Sequence, residues 1–193
     1  MVGTSRAVSI MEMDSQAFAP PSNPCVMVVF GASGDMAARL LVPALYNLAC
    51  ENLLNDNFSL LGTAIDQVTT EQFRDQMTEK IKLFHTREEF DQPVWDKLVK
   101  RFHYLPGDFR DIGVFQKLKI ELSKLSAFYN TSNVIFYLAT APGLFGMICR
   151  NLHESGFKSG PGWKHIVVEK PFGTDLKSAL QLNREILAYW DED

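Results

Sequence analysis

Cys25-Val-Met-Val-Val-Phe-Gly-Ala-Ser-Gly-Asp-Met-Ala37 joins an apolar run to a glycine turn and then to a stretch of helical spacing. Up to Phe30 the run is rich in β-branched residues without polar alternation, the pattern of a strand buried on both faces. From Asp35 to Cys50, Met36, Leu40, Leu41, Leu45 and Leu48 recur at helical spacing and predict one buried helix face. Pro43 lies inside that stretch and has no amide for the residue four back, which predicts a kink or a restart.

The same alternation continues downstream. Ser59–Ala64, Phe102–Leu105, Val134–Ala139 and His165–Lys170 read as four more strands. Thr69 with Gln72, and Thr86 with Glu89, have capping-box spacing and predict two helix starts. Phe73, Met77, Ile81 and Phe84 fit the buried face of the first of these helices. Phe115, Leu118, Leu122 and Leu125 mark another, and Pro142-Gly143 leads into one through Ile148 and Leu152. Leu176, Leu180, Leu187 and Trp190 mark a closing helix. Short apolar strands alternating with amphipathic helices imply right-handed crossovers between parallel strands. The fold class is therefore α/β, doubly wound and Rossmann-like, with a mainly parallel sheet and helices on both faces from about Cys25 onward.

The chain has 193 residues, 46% hydrophobic and 22% charged, which fits one soluble domain. Its net charge of -4 argues against a general nucleic-acid or anionic-membrane binder, which would show a basic face. No apolar run reaches the roughly 18 residues that a spanning helix needs. Residues 1–24 lack the apolar core of a secretory signal and carry Pro20, Pro21 and Pro24, which predicts a disordered tail ahead of a domain over residues 25–193. Cys25, Cys50 and Cys149 are odd in number and lack metal-ligand spacing, as expected of reduced thiols in the cytoplasm. His85, His103, His153 and His165 are scattered, so no metal site is expected.

The turn carries the first functional expectation. Gly31 can leave the strand in a conformation closed to residues with a Cβ, while Gly34 and Ala37 keep bulk away from a pyrophosphate. Gly31, Ala32, Ser33, Gly34, Asp35 and Met36 would then form a cofactor cradle with the first amides of the helix. Asp35 has a second reading, as a carboxylate that stabilises the helix N-terminus. The frame is G-x-x-G-x-x-A rather than G-x-G-x-x-G, so spacing alone leaves a plain strand-to-helix turn open. A G-x-x-x-x-G-K-[ST] loop is absent, which argues against phosphotransfer.

Val28-Val-Phe-Gly-Ala-Ser-Gly-Asp-Met-Ala37, then Arg39 and Leu41-Val-Pro-Ala-Leu45, resembles the N-terminal signature of glucose-6-phosphate dehydrogenases. Glu169-Lys170-Pro171-Phe172-Gly173 resembles the second motif of that family, with Phe136–Ala139 and Asn151–His153 matching between them. Together these span about Cys25 to Asp193. The resemblance implies oxidation of glucose 6-phosphate to 6-phosphogluconolactone with NADP or NAD, a step of the pentose phosphate pathway, by an enzyme that is a homo-oligomer at full length. It places Gly31, Ser33 and Gly34 on the cofactor, Lys170 on the sugar phosphate substrate near the nicotinamide, and Glu169 near the cofactor. At Lys170 the strand is expected to end, with Pro171 holding the cation extended, in a cis or a trans bond.

Two departures stand out. Ile65 occupies the position where the family usually has an arginine for the 2′-phosphate of NADP. Asp66 follows, either as an acceptor for a ribose hydroxyl that would repel a phosphate or as a turn residue facing water. Ala141-Pro142 stands where the family commonly has two prolines. The family's R-I-D-H-Y-L-G-K segment, whose histidine is the general base, would begin at about Asp193, so no catalytic residue is expected in this chain and turnover is expected to be absent. A catalytically silent dinucleotide-binding or regulatory module is the alternative, and an E-K-P-type sugar or inositol dehydrogenase is a third reading.

Overall fold

A computed structural model of the protein describes residues 20–170, 172–173 and 175–191. Its strands are β1 (Val26–Phe30), β2 (Ser59–Ala64), β3 (Phe102–Pro106), β4 (Val134–Leu138) and β5 (Lys164–Val168). All neighbours pair in parallel, in the order β3-β2-β1-β4-β5. The order reverses direction between β1 and β4, which is where ligands of open α/β sheets bind.

The helices are α1 (Val42–Cys50), α2 (Thr70–Phe84), α3 (Gln92–Val99), α4 (Ile112–Phe128), α5 (Phe145–Glu154) and α6 (Leu176–Leu187). Two apolar cores form, one on each face of the sheet. Val26, Val28 and Phe30 of β1 point into the core under α4 and α5, with Phe115, Phe136, Ile148 and Trp190. Val29 points into the opposite core with Leu45, Tyr46, Phe73, Met77 and Trp95. The unbroken apolar run of β1 is thus the sum of two alternating faces.

Pro43 acts one turn earlier than the sequence suggests. Ala37–Leu41 form a π turn, and the Val42 amide closes it on the Ala37 carbonyl, so the ladder has changed register before Pro43 takes its place early in α1. The extra residue rotates the face that helical spacing assigned. Leu40 and Leu48 point outward, 63% and 39% exposed, while Ala37, Ala38 and Tyr46 are buried instead.

Thr69 and Gln72 form the expected capping box of α2. Thr86 starts no helix, because its hydroxyl accepts the Asn47 side-chain amide at 2.9 Å, and α3 is capped by Asp91 instead. Phe84 is only half-buried, lying under the Arg39 guanidinium. The closing helix also turns out differently: Leu182 and Trp190 are buried, whereas Leu176, Leu180 and Leu187 face outward.

Of the proposed tail, residues 1–19 lie outside the described residues. Ser22 donates its amide to the Leu53 carbonyl, and the Pro24 carbonyl accepts from Thr131 and Asn133. The three cysteines are free, and burial pushes the thiol pKa values of Cys25 and Cys149 up to about 11 and about 12. Among the described residues no helix is long and apolar enough to cross a membrane.

Gly62 is the contact on which the β1 exit rests. A Cβ there would stand 2.7 Å from Ala32 Cβ and 3.1 Å from Phe73 Cζ, so the strand, the glycine turn and α2 close on a position without a side chain. Gly62→Ala is expected to lower stability by about 1–3 kcal/mol, the usual effect of overpacking a core. A urea denaturation midpoint unchanged from the parent would contradict this packing.

Candidate functional site

Gly31 leaves β1 with φ +82°, and a Cβ at this position would overlap the Ala139 carbonyl at the end of β4. Only glycine permits that approach. The Gly31 amide bonds the Thr63 carbonyl at 2.8 Å, tying the turn to the end of β2 as well. Gly34 then donates to the Gly31 carbonyl at 3.0 Å, and the helical ladder opens with the Ala38 amide on the Gly34 carbonyl. By helix geometry the first amides ahead of it have no acceptor one turn back, and they are available to an anion.

The expected cradle residues divide by what they can offer. Ala32 is buried and fastens the turn, and Met36 packs on the core beneath α1 and α2, so the amide is the group it can present. The Asp35 carboxylate accepts from Arg39 Nε at 2.5 Å, one helical turn on. Ser33 is the polar side chain of the turn, and its hydroxyl donates to Asp66 Oδ2 at 2.5 Å.

Asp66 is exposed just past the end of β2, and its carboxylate accepts this bond from the glycine turn. Its backbone is held as well, because the Tyr104 hydroxyl donates to the Asp66 carbonyl at 3.0 Å. Burial, with the Asp66 charge second, pushes the Tyr104 phenol up to about 12, so it stays a neutral donor at physiological pH. Ile65 beside it is 64% exposed.

Sequence reasoning missed Lys80. Its amine donates to the Ser33 carbonyl at 3.2 Å from the last turns of α2, and no local spacing signals a partner 47 residues away. Gly62, a lone glycine inside an apolar strand, was a readable signal of close approach.

The second motif sits at the adjoining strand ends. β5 stops at Val168, so Glu169 and Lys170 lie just past the strand and not in it. Glu169 is half-buried and accepts a hydrogen bond from the Tyr137 hydroxyl of β4. Burial, then that bond, hold the Tyr137 phenol well above its ordinary range. Lys170 is exposed and has no ion-pair partner among the described residues. Pro171 and the isomer of its peptide bond lie outside the described residues. Thr140-Ala141 begins the neighbouring loop, with the Thr140 hydroxyl buried and unpartnered.

The histidines stand apart from these groups. His85 Nδ1 lies 3.0 Å from the Arg87 carbonyl, and His103, His153 and His165 pack on Tyr129, Tyr189 and Trp163. No cluster that could hold a metal is present among the described residues. A cleft of about 850 Å³ between α1 and residues 86–91 shares no lining residue with the glycine turn or the second motif.

Comparison with known proteins places this geometry. Residues 28–193 match the family model described as glucose-6-phosphate dehydrogenase, NAD binding domain. The chain is 40% identical over 175 residues to glucose-6-phosphate 1-dehydrogenase 2 of Mycobacterium tuberculosis, covering 89% of this chain and 34% of that protein. It is 40% identical over 182 residues to glucose-6-phosphate 1-dehydrogenase of Chlamydia muridarum, covering 90% and 36%. Among solved structures, glucose-6-phosphate 1-dehydrogenase from Mycobacterium avium superposes with a TM-score of 0.75 at 34% identity, over 88% of this chain and 35% of that one. A glucose-6-phosphate dehydrogenase in complex with its substrate glucose-6-phosphate gives 0.78 at 28% identity, over 90% and 36%. The chain thus spans about a third of the length of the relatives it matches.

The Tyr137–Glu169 bond is the testable element of the second motif. Tyr137→Phe leaves a half-buried carboxylate short of a donor and is expected to cost about 1–3 kcal/mol. Glu169→Gln keeps an acceptor and is expected to cost less. Equal urea midpoints for Tyr137→Phe and the parent would remove the bond from the account.

Proposed function

This chain belongs to the glucose-6-phosphate dehydrogenase family, and from that premise we propose that it holds a nicotinamide dinucleotide, NADP or NAD, on the turn from Gly31 to Met36. The whole protein would oxidise glucose 6-phosphate at its anomeric carbon to 6-phosphogluconolactone, in the cytoplasm. The observation that carries this reading is convergence: the Gly31 turn, the Ser33–Asp66 bond and the Glu169–Lys170 end all meet the carboxyl edge of the sheet where the strand order reverses.

The residues fit the group. The turn that Gly31 and Gly34 allow, together with the first helical amides, suits a pyrophosphate. Asp66, anchored by Tyr104 and Ser33, suits a ribose hydroxyl. The dinucleotide, when bound, supplies the hydride acceptor.

Lys170 is a free cation at the strand ends and suits the anionic sugar phosphate as a binding group. Glu169 would orient this end of the cleft, with Tyr137 holding it. Hydride leaves the anomeric carbon only as the hydroxyl proton leaves, so a base must reach that hydroxyl. Lys170 is placed here as a binding group for the sugar phosphate, and the four histidines pack elsewhere. The residues described here therefore bind and orient, and we assign the general base to none of them.

Gly34→Val tests the cradle. Its Cβ would stand 3.1 Å from the Gly31 carbonyl oxygen, and its branches would fill pyrophosphate space. Calorimetry is expected to show loss of dinucleotide binding in a variant whose circular dichroism matches the parent; undiminished affinity would refute the site.

A second measurement concerns turnover. With saturating glucose 6-phosphate and either cofactor, the purified 193-residue chain is expected to produce little reduced nicotinamide, since a site to whose described residues no general base is assigned forgoes a rate factor of about 10²–10⁴. Robust turnover abolished by Lys170→Ala would place the base within this chain.

A further inference from the structure

Two features at the end of β2 oppose a cofactor that carries a 2′-phosphate. Ile65 is exposed and brings no charge, and the Asp66 carboxylate occupies the Ser33 hydroxyl. A phosphate placed there meets a like charge, at a cost that only a cation can offset.

The structure holds such a cation on a different element. Lys80 of α2 is half-buried, and its amine lies 3.2 Å from the Ser33 carbonyl. The carbonyl and the hydroxyl belong to one residue, so Ser33 contacts both the Lys80 ammonium and the Asp66 carboxylate. Lys80 has no ion-pair partner among the described residues. A carbonyl engages one of the three donors of the ammonium, which leaves the others open to an incoming anion. Arg39, a cation next to the glycine turn, is bonded to Asp35 and stacked 4.4 Å over the Phe84 ring.

We propose that Lys80 is the cation for the adenosine 2′-phosphate, so that the ribose pocket takes NADP through Lys80 and NAD through Asp66. The inference rests on the dinucleotide reading above and adds to it a specificity-determining residue. The flexible lysine stem allows the amine to exchange its long carbonyl contact for a phosphate oxygen. NAD, lacking that phosphate, makes no use of Lys80. Opposite charges flanking one ribose give a site with little preference between the two cofactors.

Calorimetric titration of NAD and NADP against the parent chain, Lys80→Gln, Lys80→Arg and Ile65→Arg tests this. The parent should bind both cofactors within roughly ten-fold of each other, and Lys80→Gln should lose about ten-fold or more in NADP affinity, the scale of one charge-assisted hydrogen bond. NAD affinity should stay within about two-fold in Lys80→Gln, which also reports that the variant is folded. Lys80→Arg should retain NADP binding, and Ile65→Arg should raise it by about ten-fold. Parallel loss of both cofactors in Lys80→Gln would mean that Lys80 only props the turn, and unchanged NADP affinity would mean that it does not reach the phosphate; either overturns the proposal while leaving the dinucleotide site standing. A parent chain that binds neither cofactor would overturn the dinucleotide reading and this inference together.

Discussion

Gly31 crosses the carbonyl of Ala139 at a distance no side chain could tolerate, in a backbone conformation that L-residues rarely adopt. Because β1 and β4 are neighbours and their crossovers run to opposite sides of the sheet, this approach fixes where the chain turns and which way the following helix points. Everything functional in the domain is measured from that point. Ser33 reaches the end of β2 because the Gly31 and Ala32 amides are held on the Thr63 carbonyl, and α2 can close over the same place because Gly62 offers no side chain.

The site is therefore a meeting of four strand ends rather than a loop of unusual composition. β2 contributes Asp66, β1 contributes the turn, and β4 with β5 contributes the Tyr137–Glu169 bond beside Lys170. Two of the phenols involved, Tyr104 and Tyr137, are held neutral chiefly by burial, and each spends its hydroxyl on fixing an acidic residue. The Glu169 carboxylate thus takes its donor from the adjoining strand, while the Asp66 carboxylate takes its donor from Ser33 of the glycine turn and Tyr104 holds the Asp66 backbone.

Local sequence carried the fold well because its signals were local. Five short apolar runs gave the five strands, with the last overrun by two residues where Glu169 and Lys170 leave the sheet. The Thr69 capping box held, whereas the same spacing at Thr86 did not, since a side chain from α1 competes for that hydroxyl. Helix faces were less legible. Spacing rules assume an even 3.6-residue turn, and one π turn before Pro43 moved Leu40 and Leu48 to the surface. On α6 the leucine pattern named the wrong face: Leu182 is the inward residue, and the periodic Leu176, Leu180 and Leu187 face outward. At the site, the turn was legible from its glycines, whereas the contact of Asp66 with Ser33, 33 residues away, had no local signal. Lys80 was beyond reach, because nothing short of the tertiary path of α2 relates it to Ser33.

The π turn also separates two parts of the molecule mechanically. Upstream, the glycine turn is anchored to the sheet by the Gly31 and Ala32 amides; downstream, α1 is clamped by Tyr46, whose hydroxyl accepts the Asp91 amide at 2.6 Å. Between them the wider turn and an amide-less proline interrupt the regular ladder that would make one stiff rod of both. The segment Ala37–Leu41 thus joins the glycine turn to α1 through a change of helical register, so that each is fixed by its own contacts and not by one continuous ladder.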